Sequence, residues 1–142
     1  MNEQPRVPDP LGARWTRLAP YFLSALRILA AAIFFLSGTM KLVAFPAGIP
    51  PTGGTAPLAS EVGVAGLLEV VGGGLLLLGL FTRPVAFVLS GEMAVAYFQF
   101  AFPLGFWPVL NQGVTSALYC FVWLYFSAAG AGPWSLDALR GK

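Results

Sequence analysis

The chain has 142 residues, 57% hydrophobic and 10% charged, with a mean hydropathy of +0.76. A soluble domain of this size carries about 25% charged residues, so an ordinary water-soluble globule is excluded, and the small net charge of +2 comes with no basic–aromatic block of the kind that binds nucleic acid. Histidine is absent and Cys120 is the single cysteine, which removes His-ligated haem, a His or Cys zinc site, a CxxC redox pair, a Ser-His-Asp triad and an intramolecular disulfide; no metal site is expected.

Residues 1–20 carry Pro5, Pro8 and Pro10 with Arg6, Arg14 and Arg17. They read as a cytoplasmic tail, with Trp15 and Tyr21 near the headgroups. A signal peptide fits less well, since no small-residue cleavage site follows the apolar stretch. Continuous apolar runs, each near the roughly 20 residues that cross a bilayer as helix, then predict four spans at about 21–43, 62–81, 84–102 and 112–131. Thr82-Arg83-Pro84 makes the turn between the second and third, with Pro84 suited to a first helical turn. The Ala44–Ser60 loop, with Pro50-Pro51, cannot be regular helix throughout. Residues 132–142 return to the interface. The expected fold is therefore all-α: an integral membrane bundle of four transmembrane helices over residues 21–131. Strand-like alternation, which a β-barrel requires, is absent.

Orientation follows from the basic residues. Arg6, Arg14, Arg17, Arg83, Arg140 and Lys142 lie at the two ends and in the short turn. The positive-inside rule puts those parts, and both termini, in the cytoplasm. Gly63, Gly66, Gly72, Gly73 and Gly74 in the second span suit close helix packing in lipid and mark that span as central.

Four ionisable residues fall within the spans: Arg27, Lys41, Glu69 and Glu92. Glu61 sits at the edge of span two. A charge at the bilayer centre costs about 2.5–3.5 kcal/mol on insertion scales, so partners are expected. Arg27 and Lys41 are fourteen residues apart, nearly four whole turns, and share a face of span one with Ala31, Phe34 and Gly38. Depth along the helices predicts two pairs, Arg27 with Glu92 and Lys41 with Glu61 or Glu69. Such a cluster either binds a polar headgroup, a quinone or a proton in transit, or fixes helix register and nothing more; the residues leave both open.

Gln99 and Asn111 are candidate ligand contacts near the outer surface, and Trp107 a candidate contact or interface anchor. The more common role of such amides is to satisfy nearby backbone. Phe98, Phe100, Phe102 and Phe106 form an aromatic run of the kind that lines a quinone or pigment pocket, though such runs more often serve packing. Cys120, in apolar surroundings, reads as an inert thiol. Trp123 lies near mid-membrane and fits core, lipid or partner contact equally.

Ser37-Gly38 with Lys41, Glu69 with Gly73, Leu75–Gly79, Thr82-Arg83, Phe106-Trp107-Pro108, Asn111 and the terminal Gly132-Pro133-Trp134-Ser135-Leu136-Asp137 occur in an order that resembles the DoxX family of small membrane proteins. The resemblance covers nearly the whole chain after the tail. It implies four transmembrane helices in the bacterial inner membrane and a link to sulfur and thiol redox chemistry, including small subunits of a thiosulfate–quinone oxidoreductase. The sequence departs from relatives that carry a His near the end of span three, here Tyr97–Pro103, and a Glu at the start of span four, here Asn111-Gln112-Gly113-Val114. Losing those groups suits a surface packed on another protein or on lipid. The expected role is a non-catalytic accessory subunit of a larger membrane redox or energy-converting complex; the alternative is a quinone-linked oxidoreductase subunit of sulfur or thiol metabolism. The expected partners are the bilayer and other membrane subunits. No cofactor is expected on the chain's own side chains, a quinone or a lipid being the candidate ligand.

Overall fold

The computed structural model describes residues 10–141. These residues form an all-helical structure: α1 spans Pro10–Val43, α2 Glu61–Leu78, α3 Thr82–Ala96, α4 Val114–Ala129 and a short α5 Leu136–Arg140. A π-helical turn at Tyr97–Ala101 and a 3-10 turn at Phe102–Leu104 extend α3 toward its loop. Three helical stretches, Leu11–Val43, Glu61–Leu78 and Thr82–Leu104, are long and apolar enough to cross a membrane. The fourth, α4, is equally apolar but has 16 residues, or about 24 Å, short of a hydrocarbon core of about 30 Å.

The first helix begins well before the expected span, so half of the supposed tail is helical, with Pro20 inside the helix. At 34 residues it is about 51 Å long. Its first turns therefore run past the rest of the bundle and leave Leu11 and Trp15 exposed. Residues 1–9, including Arg6, and Lys142 lie outside the described residues.

The helices run alternately up and down. α1 packs most extensively on α2 and α3 on α4, while α2 and α3 meet more loosely. Small residues explain the first contact. Gly38 sits so close to α2 that a Cβ would stand 2.7 Å from the Gly66 carbonyl oxygen; lipid offers no hydrophobic drive between helices, so close backbone approach does that work. The core collects Ala31, Phe34, Leu76, Leu89, Trp123 and Phe126. Trp123 is thereby core, its ring edge-on to Phe34 at 5.4 Å. At the end of the bundle where α1 meets the segment after α4, Tyr21 packs on Trp134 and Ser24 accepts the Trp134 N–H at 3.2 Å.

Candidate functional site

The intramembrane charges divide into two centres about 21 Å apart along α1, one at Arg27 and one at Lys41. They satisfy themselves differently.

Arg27 is fully buried and does not pair with Glu92. Its guanidinium donates instead to four backbone carbonyls. Nε reaches Ala131 at 2.9 Å and Nη1 reaches Leu77 at 2.8 Å, with further bonds to Leu76 and Trp134. The last carbonyls of a helix have no partner within it and carry the negative end of its dipole. Arg27 thus caps α2 and the segment after α4 together, using a fork of five donors. The expected Arg27–Glu92 pair fails for a reason of depth. Arg27 stands level with the end of α2, beside the start of α3, while Glu92 lies ten residues further along α3, or about 15 Å.

The same end of the bundle is tied by residues whose sequence signal is only that of topology or of a chain end. Asp137 accepts the N–H groups of Phe81 at 2.9 Å and Thr82 at 2.8 Å, capping α3, whose own cap position is a left-handed Phe81 with no side-chain bond. Burial works to raise the Asp137 carboxyl, but the donors from Thr82 and Phe81 and the charge of Arg140 outweigh it and hold the group below its ordinary value. Arg83 Nη1 donates to the Ala128 carbonyl at 2.5 Å, and Arg140 stands over the Phe81 ring at 4.7 Å. Gly79, at φ +66, passes so close to Ser135 that a Cβ would collide with it. The Gly132–Asp137 motif is therefore a strap across three helix ends.

The second centre is a cavity. Lys41 Nζ bonds Glu69 at 2.6 Å and 2.5 Å to its two oxygens and Ser37 Oγ at 3.2 Å. The partner of Lys41 is thus Glu69 rather than Glu61. Glu69 is buried and Lys41 partly exposed. A cavity of about 280 Å³ opens beside the pair, with Phe34, Met93, Phe100, Ser116 and Tyr119 in its wall. Tyr119 donates to the Ala30 carbonyl at 3.2 Å, so its hydroxyl is held across to α1. Glu92 also lines this cavity, within the electrostatic reach of Glu69 and Lys41. Both of its carboxyl oxygens are shielded from solvent, and neither has a hydrogen-bond partner among the described residues. A buried polar group without a partner is costly, and in a native structure it calls for an explanation such as a ligand or a proton.

The remaining candidates fall elsewhere. Glu61 accepts from Gln99 Nε2 at 2.7 Å, a contact between α2 and the π-helical turn. Asn111 is buried and commits its amide to Gly105 and Gly113 at 2.7 Å and 2.8 Å, locking its own loop. Trp107 is exposed and stacks edge-on with Phe106, away from the cavity wall.

A model of the DoxX family matches residues 22–101. The chain belongs to the DoxX family. The matched stretch runs from α1 to the π-helical turn and includes Arg27, Lys41, Glu69 and Glu92, so both centres are built on the family's segment and closed by α4 and the strap that follow it. A Haemophilus influenzae protein, itself described only as uncharacterized, is 48% identical over 123 residues, covering 83% of this chain and 90% of its own length. No solved structure matches. With its three long apolar helices, this DoxX chain is a membrane protein.

Proposed function

We propose that this DoxX protein is an accessory, non-catalytic subunit of a larger membrane redox or energy-converting complex, and that its own task is to hold a small ligand with a polar head, a quinone being the chemical class, beside Lys41, Glu69 and Glu92. The observation that carries this reading is the cavity itself. A bundle that needed charges only for register would close on the Lys41–Glu69 pair; here a second carboxyl, Glu92, without a hydrogen-bond partner among the described residues, lies in the wall of an open space. Pockets of this kind, mostly apolar with a few convergent polar groups, are the usual form of a small-molecule site. The accessory role is supported by composition: without histidine and with one cysteine, the chain supplies few groups that could carry electrons, so these come from a partner.

The basic residues at the two ends and in the Thr82–Pro84 turn support a multi-pass arrangement in the bacterial inner membrane with both termini cytoplasmic. In that arrangement α4, continued by Gly130–Ala131, is a fourth span, and local thinning of the bilayer takes up its shortness. The Lys41–Glu69–Glu92 cavity then lies toward the outer half.

The alternative, a quinone-linked oxidoreductase subunit of sulfur or thiol metabolism, draws on the same cavity. Two measurements separate and test these readings. Gentle detergent extraction from native membrane is expected to recover the chain with a cofactor-bearing partner. The purified chain is expected to bind a tail-less naphthoquinone, with affinity reduced about tenfold (about 1.4 kcal/mol) by Glu92→Gln, and to reduce none of it. Quinone turnover by the isolated chain, abolished by Glu69→Gln, supports the alternative. A solitary chain with no quinone affinity refutes both.

A further inference from the structure

The inner cavity holds a head but not a tail. Its volume of about 280 Å³ is close to the lower end of small-molecule pockets, roughly 300 Å³, and nearly twice the roughly 150 Å³ that takes up one benzene ring. A ring-sized group fits; a long chain has to leave.

Two spaces adjoin the cavity. One, of about 230 Å³, runs past Phe100 and Ser116 to the loop at Asn111 and Gln112, a short passage with polar groups at its end. The other, of about 540 Å³, lies between α2 and α3 and shares Ala65, Glu92, Ala96 and Phe100 with the cavity. Val64, Leu68, Val88 and Val95 border it, and all four are exposed on the outside of the bundle. Past Leu68 and Val88 it continues as an apolar groove of about 260 Å³ to Leu75 and Pro84. Glu61 to Leu75 is fourteen residues of α2, so the groove runs about 21 Å along the helix. It exists because α2 and α3 are the loosest of the sequential helix pairs. At the outer mouth they are joined by Gln99 and Glu61.

We infer that the α2–α3 groove is the tail subsite, and the sideways entrance, for a membrane-dissolved amphiphile whose compact carbonyl-bearing head occupies the Lys41–Glu69–Glu92 cavity. This rests on the ligand-binding reading above and adds where the ligand comes from: the bilayer, between two helices, rather than water. Ordinary bilayer lipid fills any groove on a membrane protein. Here Glu92, whose carboxyl lacks a partner among the described residues, borders both groove and cavity, so an occupant that satisfies the whole space is polar near Glu92 and apolar beyond it. A tail moving from lipid to groove changes one apolar surrounding for another and gains by packing rather than by the hydrophobic effect. Position, more than affinity, is therefore the decisive readout.

The test is photolabelling of the full chain in phospholipid vesicles with a naphthoquinone carrying a diazirine on its isoprenoid tail. Labels are expected on Val64, Leu68, Val88 and Val95 at least tenfold above Leu118 and Phe121 on the outer face of α4, and excess unlabelled long-tailed quinone is expected to remove them. In Val64→Phe/Val95→Phe, groove labelling is expected to disappear while quenching of tryptophan fluorescence by tail-less naphthoquinone persists. Labels spread evenly around the bundle, with tail-less quinone still bound, overturn the groove and leave the cavity reading standing. Failure of tail-less quinone to bind the parent chain overturns the cavity reading and the groove with it. Should the double variant not fold, the label map of the parent decides.

Discussion

The two ends of α1 bury charge in opposite ways. At Arg27 all three guanidinium nitrogens meet carbonyls, and the neighbouring Asp137 meets two N–H groups. Both charged groups find partners within the chain, and among the described residues there only the neutral, buried Thr82 hydroxyl is left without one. At Lys41 the arithmetic is uneven: one cation, two carboxyls, and a cavity beside them. Saturated buried charge is architecture, because its free energy depends on partners already present. A surplus carboxyl beside a cavity is a site, because its free energy improves when something else arrives. Intramembrane charge alone does not separate these cases; the hydrogen-bond inventory does.

That contrast breaks most readily at Arg27. Arg27→Leu takes their side-chain donor from the Leu77, Ala131 and Trp134 carbonyls, Leu76 keeping the Gly79 N–H, and is expected to cost about 3 kcal/mol or more, at about 1–3 kcal/mol for each buried group left unsatisfied, measured by SDS-induced unfolding in mixed micelles; Arg27→Lys, with three donors rather than five, recovers part of it. A leucine variant as stable as the parent would end the architectural reading. Next comes Lys41→Met, which leaves Glu69 buried without its cation and is expected to cost about 2 kcal/mol, the scale of a hydrogen bond to a charged group. Lys41→Met with Glu69→Gln restores most of that stability but not quinone binding.

Asp137→Ala removes a cap and is expected to cost about 1 kcal/mol. The pH dependence sharpens the point. The folded value of Asp137 is depressed below its ordinary 3.8, so its contribution is complete above the unfolded value and fades as pH falls through the lower, folded one. Acid unfolding curves of parent and Asp137→Asn should therefore converge at low pH; a constant gap down to acid would contradict the cap. The smallest stability effect is expected at Glu92→Gln, below that of Asp137→Ala, since no hydrogen-bond partner among the described residues is lost, although ligand affinity drops. A Glu92 variant destabilised as much as Arg27→Leu would show a structural partner and erase the distinction between the two centres.

Much of this is legible in the chain before it folds. Arg27, Ala31, Phe34, Gly38 and Lys41 share one helical face by spacing alone, and all but the partly exposed Lys41 are buried. Opposite charge at similar depth is enough to bring Lys41 to Glu69. It fails for Arg27, because the carbonyls that hold it belong to helix ends, and every residue type has a carbonyl. Gly132–Asp137 is visible as a motif but not as a strap, since its bonds reach back more than fifty residues to Phe81 and Thr82. Asn111 by residue type fits backbone support more often than a ligand contact, and its own loop claims it.

Composition and periodicity by themselves determined the solvent, the helical class and the helix face that carries the charges, because burying apolar surface and satisfying backbone groups in lipid depend on segment length and residue type. Only the tertiary structure decided which charges were satisfied and which carboxyl was left without a partner in the wall of a cavity. Partners at a given depth are set by how far each helix has run when it passes its neighbour, and that register is a property of packing, not of any single segment.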